Sequence, residues 1–532
     1  MLKTNGPLQL FPLLRIIVFL IGGIVVGDLF YGQYNGDWLL AVFALLFVVL
    51  VFVRHHALWS GACLGVLVAC VGVLLVHFKR LDAAQCQLGV PVTYQALVVS
   101  LPKDVGKVVR CRLLIVRSGG EPVKSTYQVN ATILKDKCEE RWRQLSLGCG
   151  LEVQSVLTAH ESQPFISRFN YRRWAEANDI YANSFILPAD WQRTDANRLY
   201  ALLPVVWQLR LRMQLWQQLL GGAFDDMSKD GEAGRLLRAV VLGDKSGLSR
   251  THQEAFSVAG VSHVLALSGL HLGIVYAFLF VLLSQLLRLW RHCSWQPMLV
   301  QLILLLAIWG YVLLVGMSSS IVRSAVMLSV YSVVSLLSRD KMSVNTLAFT
   351  GIIMLLSNPL LVWDVSFQLS FAAVLSIFIF YPFIYSVVAH RTSFRPLLSL
   401  WALISVSVAA QVGTAPLVAY YFGRFSNYFL LSNLLVVPLI TVVLYIGLLL
   451  LLLHVLVGTL TFLPSVLSWL THVLMNIVGW VASFPYASIE NIWLTPLQVV
   501  LLYLLIGCGY GLCRYLRKMV HFHRQFRNRD VR

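Results

Sequence analysis

Charged residues are scarce in this sequence. Asp, Glu, Lys and Arg make up 12% of the 532 residues and hydrophobic residues 58%, and the mean hydropathy is +0.74. A soluble domain carries about 25% charged residues. The composition therefore excludes an ordinary soluble globular protein and predicts a polytopic α-helical membrane protein. The net charge is +18. In a membrane protein much of such an excess of Lys and Arg is expected in the cytoplasmic loops, so it gives little information about ligands.

Several motifs that carry chemistry are missing as well. The nine cysteines form no C-x-x-C pair, so a zinc or thiol-redox motif is not supported. No phosphate-binding G-x-x-x-x-G-K-[ST] loop occurs, so a P-loop nucleotide site is not supported. The basic amino end leads into an apolar run without a small-residue cleavage site, and we interpret it as a retained first span.

Twelve apolar stretches are long enough, or nearly so, to cross a bilayer, which takes about 20 residues. They are residues 12–30, 38–53, 57–77, 262–288, 298–316, 321–337, 344–362, 366–389, 398–421, 429–456, 460–484 and 496–514. The first three form an amino-terminal part, residues 1–78, and the others lie in a transmembrane domain, residues 232–514. The remaining carboxyl-terminal tail, residues 515–532, is basic.

The composition changes between the third and fourth spans. In residues 79–197 charged and turn residues return, and runs such as YQALVVSL, KVVRCRLLIVRS, QVNATILK and LEVQSVLTAH read as strands. About five short strands in this length predict a small β barrel or sandwich. Residues 198–231 mix Arg with Leu and Trp at helical spacing, which suits an interfacial amphipathic helix; a helix that packs against the β domain fits equally well.

Lys and Arg in the loops predict the orientation, because cytoplasmic loops are enriched in them. With the amino terminus inside, the cytoplasmic side receives Lys3, Arg15, Arg54, Arg288, Arg291, Arg339, Lys341, Arg391, Arg395 and the basic tail. The opposite loops are nearly free of these residues, apart from Arg424. This bias places the β domain outside the cytoplasmic membrane. There, disulfides Cys86–Cys111 and Cys138–Cys149 are one alternative and four reduced thiols are the other.

Polar groups within apolar spans are the informative ones, because an Arg or Asp at a helix centre costs about 2.5–3.5 kcal/mol on insertion scales. Four clusters contain Glu254, His263, Ser268 and His271; Arg323; Asp364, Gln368 and Ser370; and Gln411, Thr414, Asn427 and Asn433, broken by Pro416 and Pro438. All lie toward the outer halves of their spans, and together they predict a polar vestibule that opens outward. The alternative for the small polar groups is that they only join helices; for Arg323 and Asp364 we favour a pair.

Ser268 and His271 also raise the question of a hydrolase. At positions i and i+3 they share one helix face, but a nucleophile normally lies at a sharp turn beside oxyanion donors, and this serine lies in a helix-like run. His263 and His271 are two turns apart, too far for one metal ion to join them. We therefore predict no catalytic residue, no metal and no cofactor.

One long stretch is distinctive. LGDKSGLS…HQEAFSVAGVSHVLALSGLHLGIV resembles the signature of the ComEC competence family, the inner-membrane DNA-uptake channel proteins. GMSSSIVRSAVM, NPLLVWDVSFQLSFAAVLSI and GTAPLVAYYFGRFSNYFLLSNLLVVPL follow in the family's order. FNYRRWAEANDIYAN is similar to the motif that closes the family's OB-like module, with Asn170 where Asp is usual. The resemblance covers nearly the whole chain.

The resemblance implies a polytopic protein of about 12 spans with an extracytoplasmic OB-like β domain inserted after the first three. It implies a channel for single-stranded DNA across the cytoplasmic membrane in natural transformation. An OB-like module holds single strands by stacking and by a positive groove. Stacking faces are available, although most of them are expected in the core: Tyr94, Tyr127, Trp142, Phe165, Phe169, Tyr171 and Trp174. The pore-lining or DNA-contacting residues expected are Glu254, His263, Ser268, His271, Arg323, Asp364, Gln368 and Asn433.

The carboxyl end departs from the family. Many members carry a metallo-β-lactamase-like nuclease domain, whereas here His521 and His523 form H-x-H without the Asp-His that follows it in such sites. We expect the tail to be a membrane-proximal basic anchor. The expected partners are therefore single-stranded DNA, membrane lipid, a DNA receptor, a motor ATPase and a separate nuclease, with a homo-oligomer as a further prediction. Two other functions stay open: a solute transporter, for which no clear internal repeat is found, and an intramembrane hydrolase.

Overall fold

The structure is a computed structural model that describes residues 12–34, 36–53, 55–83, 86–136, 140–160, 170–227, 231–286, 296–336, 344–457 and 462–529. Some sequence predictions fall outside the described residues. They concern Lys3, Arg54, Cys138, Phe165, Phe169, Arg288, Arg291, Arg339 and Lys341, and the side chains of His521 and His523.

Helices make up most of the described chain. They are α1 (Pro12–Leu29), α2 (Gly36–Val53), α3 (Ala57–Ala83), α4 (Tyr171–Ala177), α5 (Ala196–Ala201), α6 (Val205–Met227), α7 (Gly231–Leu237), α8 (Arg250–Val258), α9 (Ser262–Leu265), α10 (Gly269–Leu286), α11 (Gln296–Val315), α12 (Ser319–Leu336), α13 (Val344–Ser357), α14 (Val365–Ala389), α15 (Arg395–Phe422), α16 (Phe429–Val457), α17 (Phe462–Ala482) and α18 (Pro496–Arg529). A π-helix, Arg238–Leu242, follows α7, and a 3₁₀ helix, Pro359–Trp363, precedes α14.

Ten of the described helices are long and apolar enough to cross a membrane: α1–α3, α10, α11 and α14–α18. Two shorter apolar helices, α12 and α13, complete the twelve that the hydropathy predicts. Helix α2 has no buried residue, as expected for a helix that is apolar on every side and faces lipid. The predicted fold class, a multi-pass helical membrane protein with a β domain after its first three helices, is confirmed.

The β domain contains seven strands. They are β1 (Pro91–Val98), β2 (Lys103–Val105), β3 (Val108–Ser118), β4 (Glu121–Leu134), β5 (Gly150–Thr158), β6 (Ile180–Ile186) and β7 (Trp191–Thr194). Five of them close into a ring in the order β1-β3-β4-β6-β5, because β1 pairs with both β3 and β5. All pairs in this ring are antiparallel except β4 with β6. This is a closed five-stranded OB-like barrel.

Local sequence explains the barrel's corners and its interior. Gly119 and Gly120 both have positive φ in the β3–β4 hairpin, the backbone that glycine adopts without strain. Alternate residues of each strand point inward, and the core includes Tyr94 with the thiols of Cys86 and Cys111. Both cysteines are free, so the reduced alternative describes this pair. Burial raises the pKa of Cys86 to about 11 and that of Cys111 to about 12, which keeps both thiols protonated.

Helices α5 and α6 pack against the outside of the barrel. Leu199, Leu203 and Leu211 share a buried cluster with the outward-facing Leu114 and Val116 of β3. The segment that begins near residue 198 therefore joins the barrel through an apolar face. Helix α6 also contacts α11, so it lies between the barrel and a spanning helix.

A network of ion pairs joins the barrel to α1 and α3, and we call it the junction. The Arg80 guanidinium lies 2.6 Å from an Asp28 carboxylate oxygen and 2.7 Å from one of Glu176 on α4. Arg173 lies 3.6 Å from Asp28, and Lys79 lies 2.6 Å from Asp179. The Asp28 side chain is only 2% exposed. Since both signs of charge are present in contact, the burial of these groups is compensated.

Helix α4 extends the junction to the segment before α14. The amide nitrogen of Asn358 donates to the carbonyl of Ala177 at 2.8 Å, and the Arg173 guanidinium lies 4.2 Å from the Trp363 ring centroid. Asn170 caps α4 by accepting from the backbone N–H of Arg173 at 3.1 Å. Asn and Asp are equally good caps, so the departure from the family motif at this position leaves the helix start intact.

Contacts divide the chain into two compact units. The first contains Met1–Leu248, His263–Gln368 and Ile440–His472, and the second contains Ser249–Ser262, Leu369–Leu439 and Val473–Arg532. The barrel and the junction belong to the first unit. The second contains α15, α18 and most of α14, and a short antiparallel pair of strands, β8 (Phe425–Ser426) and β9 (Ser488–Ile489).

Small residues let helices approach closely in both units. In the first, a Cβ on Gly23 would lie 2.0 Å from the carbonyl oxygen of Ala69, and one on Gly27 would lie 2.9 Å from the Cα of Val73. This is the G-x-x-x-G pattern of membrane helix pairs. In the second unit, a Cβ on Gly413 would lie 2.3 Å from that of Ser376. These positions require glycine because backbone and side-chain atoms fill the space.

Candidate functional site

Ser268 and His271 meet at the start of α10. Ser268 Oγ lies 3.0 Å from His271 Nδ1, and the Ser268 backbone N–H points to the same nitrogen at 3.4 Å. The Ser268 carbonyl accepts the first helical bond, from Leu272 N–H. Ser268 is thus the N-cap residue and His271 is at N3, where a Glu or Gln normally reaches back to the N-cap N–H. The Ser-Gly-x-His spacing encodes a variant capping box.

The other ring nitrogen bears on the hydrolase hypothesis. His271 is fully buried, and its Nε2 has no hydrogen-bond partner among the described residues. A catalytic histidine needs a group that orients the ring and stabilises its positive charge. In the described part of the chain the serine–histidine pair lacks that third group, so its geometry is that of a helix cap.

Gly269 brings the start of α10 against α12. A Cβ at this position would lie 2.9 Å from Ser324 Oγ and 3.5 Å from Arg323 Nη2. The buried Arg323 donates to Ser324 Oγ at 3.3 Å and lies 3.7 Å from the Met327 sulfur. A guanidinium therefore lies beside a helix amino end, which itself carries about half a positive charge. Both attract an anion.

Asp364 caps the next spanning helix. It is buried, and its Oδ2 accepts from Ser319 Oγ at 2.5 Å and from the Phe367 N–H, in the first turn of α14, at 3.1 Å. Ser319 lies one turn before Arg323 on α12. Asp364 and Arg323 thus bond to different side chains of α12, Ser319 and Ser324. These contacts between described residues include no ion pair of Arg323 with Asp364, so the predicted pair stays a prediction.

Gln368 and His263 complete the predicted residues of the first unit. The Gln368 amide donates to the Val362 carbonyl at 2.7 Å, which ties α14 to the end of the preceding 3₁₀ helix. His263 lies on the short helix α9 with an exposed side chain. The first unit therefore brings Ser268, His271 and Arg323 together, with Asp364 nearby through Ser319.

Glu254 and Asn433 belong to the second unit. Glu254 on α8 lies 3.5 Å from Arg424, which also lies 2.8 Å from Glu490. Arg424 was the exception among loops that are otherwise poor in Lys and Arg, and the structure shows it between two acidic residues. Asn433 on α16 has a buried Oδ1 without a partner among the described residues.

Ion pairs also fix the segment before α8. Arg238 lies 2.6 Å from Asp225 and 2.7 Å from Asp244, and the chain then turns at Gly243 with φ +78°. The carbonyl of Val241, inside the π-helix, accepts from Tyr311 OH at 2.8 Å. Single π-helical turns are frequent at functional sites, and here the turn positions a signature segment against α11.

Sequence reasoning missed two partners. Ser319, which holds Asp364, is 45 residues away in sequence, and no local pattern links them. Arg424, which holds Glu254, had one signal: it was the exception in the Lys and Arg distribution. In the described residues no group of three His, Cys, Asp or Glu side chains is arranged to hold a metal ion.

Comparisons with known proteins bear on the same residues. The family model described as Competence protein matches residues 240–515, a range that contains all eight predicted site residues. ComE operon protein 3 of Bacillus subtilis (strain 168) is 32% identical over 445 residues, which cover 82% of this chain and 52% of the relative. The chain therefore spans about half the length of that curated relative. No solved structure matches. With a family model that matches more than half of its residues and a relative of this identity and coverage, the chain belongs to the competence protein family.

Proposed function

We propose that this protein conducts single-stranded DNA across the cytoplasmic membrane during competence. The observation that carries the proposal is the juxtaposition of Arg323 with the amino end of α10, in the part of the chain that matches the family. A guanidinium and a helix amino end both attract anions. A passing phosphate group forms charge-assisted hydrogen bonds with the guanidinium.

In this proposal none of the eight predicted residues reads a base. Ser268, Gln368 and Asn433 provide neutral polar atoms, and Arg323 provides charge. Asp364 and His271 hold the helix ends that shape the path. No base-specific element is needed, because a translocation channel has to pass every sequence.

The barrel receives the strand before it enters the membrane in this proposal. Its closed five-stranded topology is that of modules that hold single strands. The Lys and Arg distribution supports an extracytoplasmic barrel and cytoplasmic amino and carboxyl termini. A DNA receptor, a motor ATPase and a separate nuclease act with the channel, membrane lipid surrounds it, and a homo-oligomer is its assembled form.

The test is uptake of radiolabelled DNA into the cytoplasm of a transformable host that depends on this chain. Arg323→Ala and Asp364→Ala should each reduce uptake at least tenfold. The control Arg198→Ala, whose side chain is 89% exposed, should retain it. Normal uptake in a strain that lacks the protein contradicts the proposed function. Normal uptake in both folded variants contradicts the proposed path.

A further inference from the structure

A row of polar side chains crosses the outer face of the barrel. Arg112 of β3 pairs in register with Asn130 of β4, and Asn130 pairs with Asn183 of β6. The neighbours of these residues along each strand point into the barrel core, so the three side chains face outward. The Asn130 amide donates to the Tyr171 hydroxyl at 2.8 Å. The start of α4 therefore lies at one end of this row.

Helix α6 brings a second arginine to the same face. Leu211 is buried against Leu114 and Val116 of β3, which fixes α6 next to the row. Arg210, the preceding residue, has its guanidinium 4.8 Å from the Trp207 ring centroid. Burial lowers the pKa of Arg210, and the nearby charge of Arg112 lowers it further. Arg112 and Leu114 are two residues apart and so lie on the same face of β3. The packing of Leu211 with Leu114 therefore places Arg210 beside Arg112, and we call the surroundings of these two arginines the seam.

The charges of the seam are not balanced. In the part of the chain that the structure describes, no carboxylate forms an ion pair with Arg112 or Arg210. Asp179 is close enough to influence Arg210, but it bonds to Lys79 at 2.6 Å. Arg210 Nε is buried without a hydrogen-bond partner, and so is Gln214 Oε1 one turn later. Two half-buried like charges without a counter-ion are unfavourable, whereas an anion with several acceptor oxygens between them satisfies both.

An aromatic ring lies beside these charges. Tyr171 is exposed, and its ring centroid is 5.6 Å from that of Trp174 and 5.4 Å from that of His160, so its position is supported from behind. It is also within electrostatic range of Arg112. A cation pair with an exposed aromatic residue next to it matches a phosphate with a base attached. The headgroup of phosphatidylglycerol has no aromatic ring for Tyr171 to stack on.

We propose that Arg112 and Arg210 together bind one phosphodiester group of single-stranded DNA, and that Tyr171 stacks on a base next to that phosphate. Guanidinium groups suit this role because their planar forks bond two phosphate oxygens at once. Base stacking on an aromatic side chain is independent of sequence. The proposal rests on the proposed function and assigns the site at which the barrel holds the strand beside α6.

The test uses the full chain in detergent and a fluorescein-labelled oligothymidylate, with binding followed by anisotropy. The double variant R112Q/R210Q should bind at least tenfold more weakly, because charge-assisted hydrogen bonds to phosphate are lost. The slope of log affinity against log salt should fall by about 0.7, the value for one phosphate contact to a single strand. R143Q/R198Q is the matched control, since it removes two charges at side chains that are 64% and 89% exposed. Equal losses in the two double variants contradict the site.

Two further measurements keep the test decisive if R112Q/R210Q fails to fold. R112K/R210K retains both charges but loses the forks, and its affinity should fall several-fold. An oligonucleotide that carries 5-iodouracil should photo-crosslink to the peptide that contains Tyr171, and Y171L should abolish this product. Unchanged affinity of the lysine variant together with a crosslink elsewhere overturns the proposal.

The outcomes separate this proposal from the proposed function. If the wild-type chain binds no oligonucleotide, the proposed function fails with the site. If the wild-type chain binds the oligonucleotide and R112Q/R210Q and R112K/R210K bind it with the same affinity as the wild type, only the proposed site is contradicted. If the seam variants lose binding to phosphatidylglycerol vesicles but keep oligonucleotide affinity, the seam binds a lipid headgroup and the proposal is overturned.

Discussion

The junction and the helix starts at Ser268 and Asp364 stabilise buried polar side chains in different ways. At the junction, buried Asp28 is neutralised by Arg80 and Arg173, which lie within 2.6 and 3.6 Å. At the starts of α10 and α14, the buried atoms His271 Nδ1 and Asp364 Oδ2 bond to hydroxyl and backbone N–H groups. Ion pairs join the barrel to the helices, whereas polar side chains within the spans form hydrogen bonds at the helix ends.

The difference follows from what each region offers. The junction lies where two spanning helices meet the barrel, and charges of both signs come from α1, α3 and α4. Within the spans charges are few, but each interrupted helix exposes N–H groups that lack an intrahelical partner. A carboxylate or an imidazole satisfies these donors, so the signature residues stabilise broken helices in an apolar setting.

Removal of Asp28 tests the ion-paired side of the comparison and should have the largest effect. Asp28→Ala removes one of the two carboxylates that pair with Arg80 and leaves Glu176 as the other. The cost should therefore be about 3 kcal/mol, the lower end of the range for breaking a buried ion pair. The measurement is the free energy of unfolding in mixed detergent micelles. Asp104→Ala is the control: its partner is Lys135, its side chain is 55% exposed, and the cost should be below about 1 kcal/mol. Equal costs in the two variants show that the junction does not hold the barrel.

Asp364 tests the capped side. Asp364→Ala should lower the free energy of unfolding by about 1–2 kcal/mol, because an N-cap and the bond to Ser319 are both lost. Asp364→Asn keeps a cap acceptor and should recover most of this stability. If Asp364→Asn is as unstable as Asp364→Ala, charge rather than capping holds α14. DNA uptake by the stable Asn variant then reports whether the negative charge itself is needed.

The contact between Ser268 and His271 should give a smaller effect. Ser268→Ala should cost about 1 kcal/mol, because the hydrogen bond between Ser268 Oγ and His271 Nδ1 is lost. His271→Gln should cost less, since Gln is a regular partner at N3 of a capping box. DNA uptake measured on both variants distinguishes a cap from a catalytic pair. Loss of all uptake in both variants, with normal folding, restores the hydrolase hypothesis.

His160 extends the comparison to a buried neutral group and should give the smallest effect. It is buried and donates from Nε2 to the Ile180 carbonyl at 3.2 Å. Burial lowers its pKa; Glu176 opposes the shift and Arg172 adds to it. The unfolded chain then binds more protons near the ordinary pKa of about 6.5, so stability falls as pH drops through that value toward the folded pKa.

Hydrogen exchange of the β5 and β6 amides at pH 7.5 and 5.5 checks this direction. The wild type should lose protection at the lower pH relative to His160→Gln, which keeps a donor for the Ile180 carbonyl but does not titrate. An equal loss of protection in the wild type and in His160→Gln contradicts the prediction, because protonation of His160 then has no effect on stability.

Periodicity and hydropathy were sufficient for the architecture. The twelve apolar stretches correspond to ten long spanning helices and two shorter ones, and the alternating runs became β1, β3, β4 and β5. The strands β6 and β7 were not singled out, because short strands after a helix carry little pattern of their own. The prediction that Ser268 lies inside a helical run is wrong: it lies between α9 and α10, directly before the first residue of α10. Hydropathy does not locate this break, because the residues on both sides of it are apolar.

The sequence by itself determined that the chain crosses the membrane repeatedly, that a β domain follows the third span, and that its signature residues are those of the competence family. These properties depend on composition, local periodicity and motif spacing, which are all properties of neighbouring residues. Only the tertiary structure decided that Asp364 bonds to Ser319, that Arg323 lies against the start of α10, and that Arg112 and Arg210 share one face of the barrel. Such contacts join residues tens to hundreds of positions apart, and the packing of helices and strands selects them.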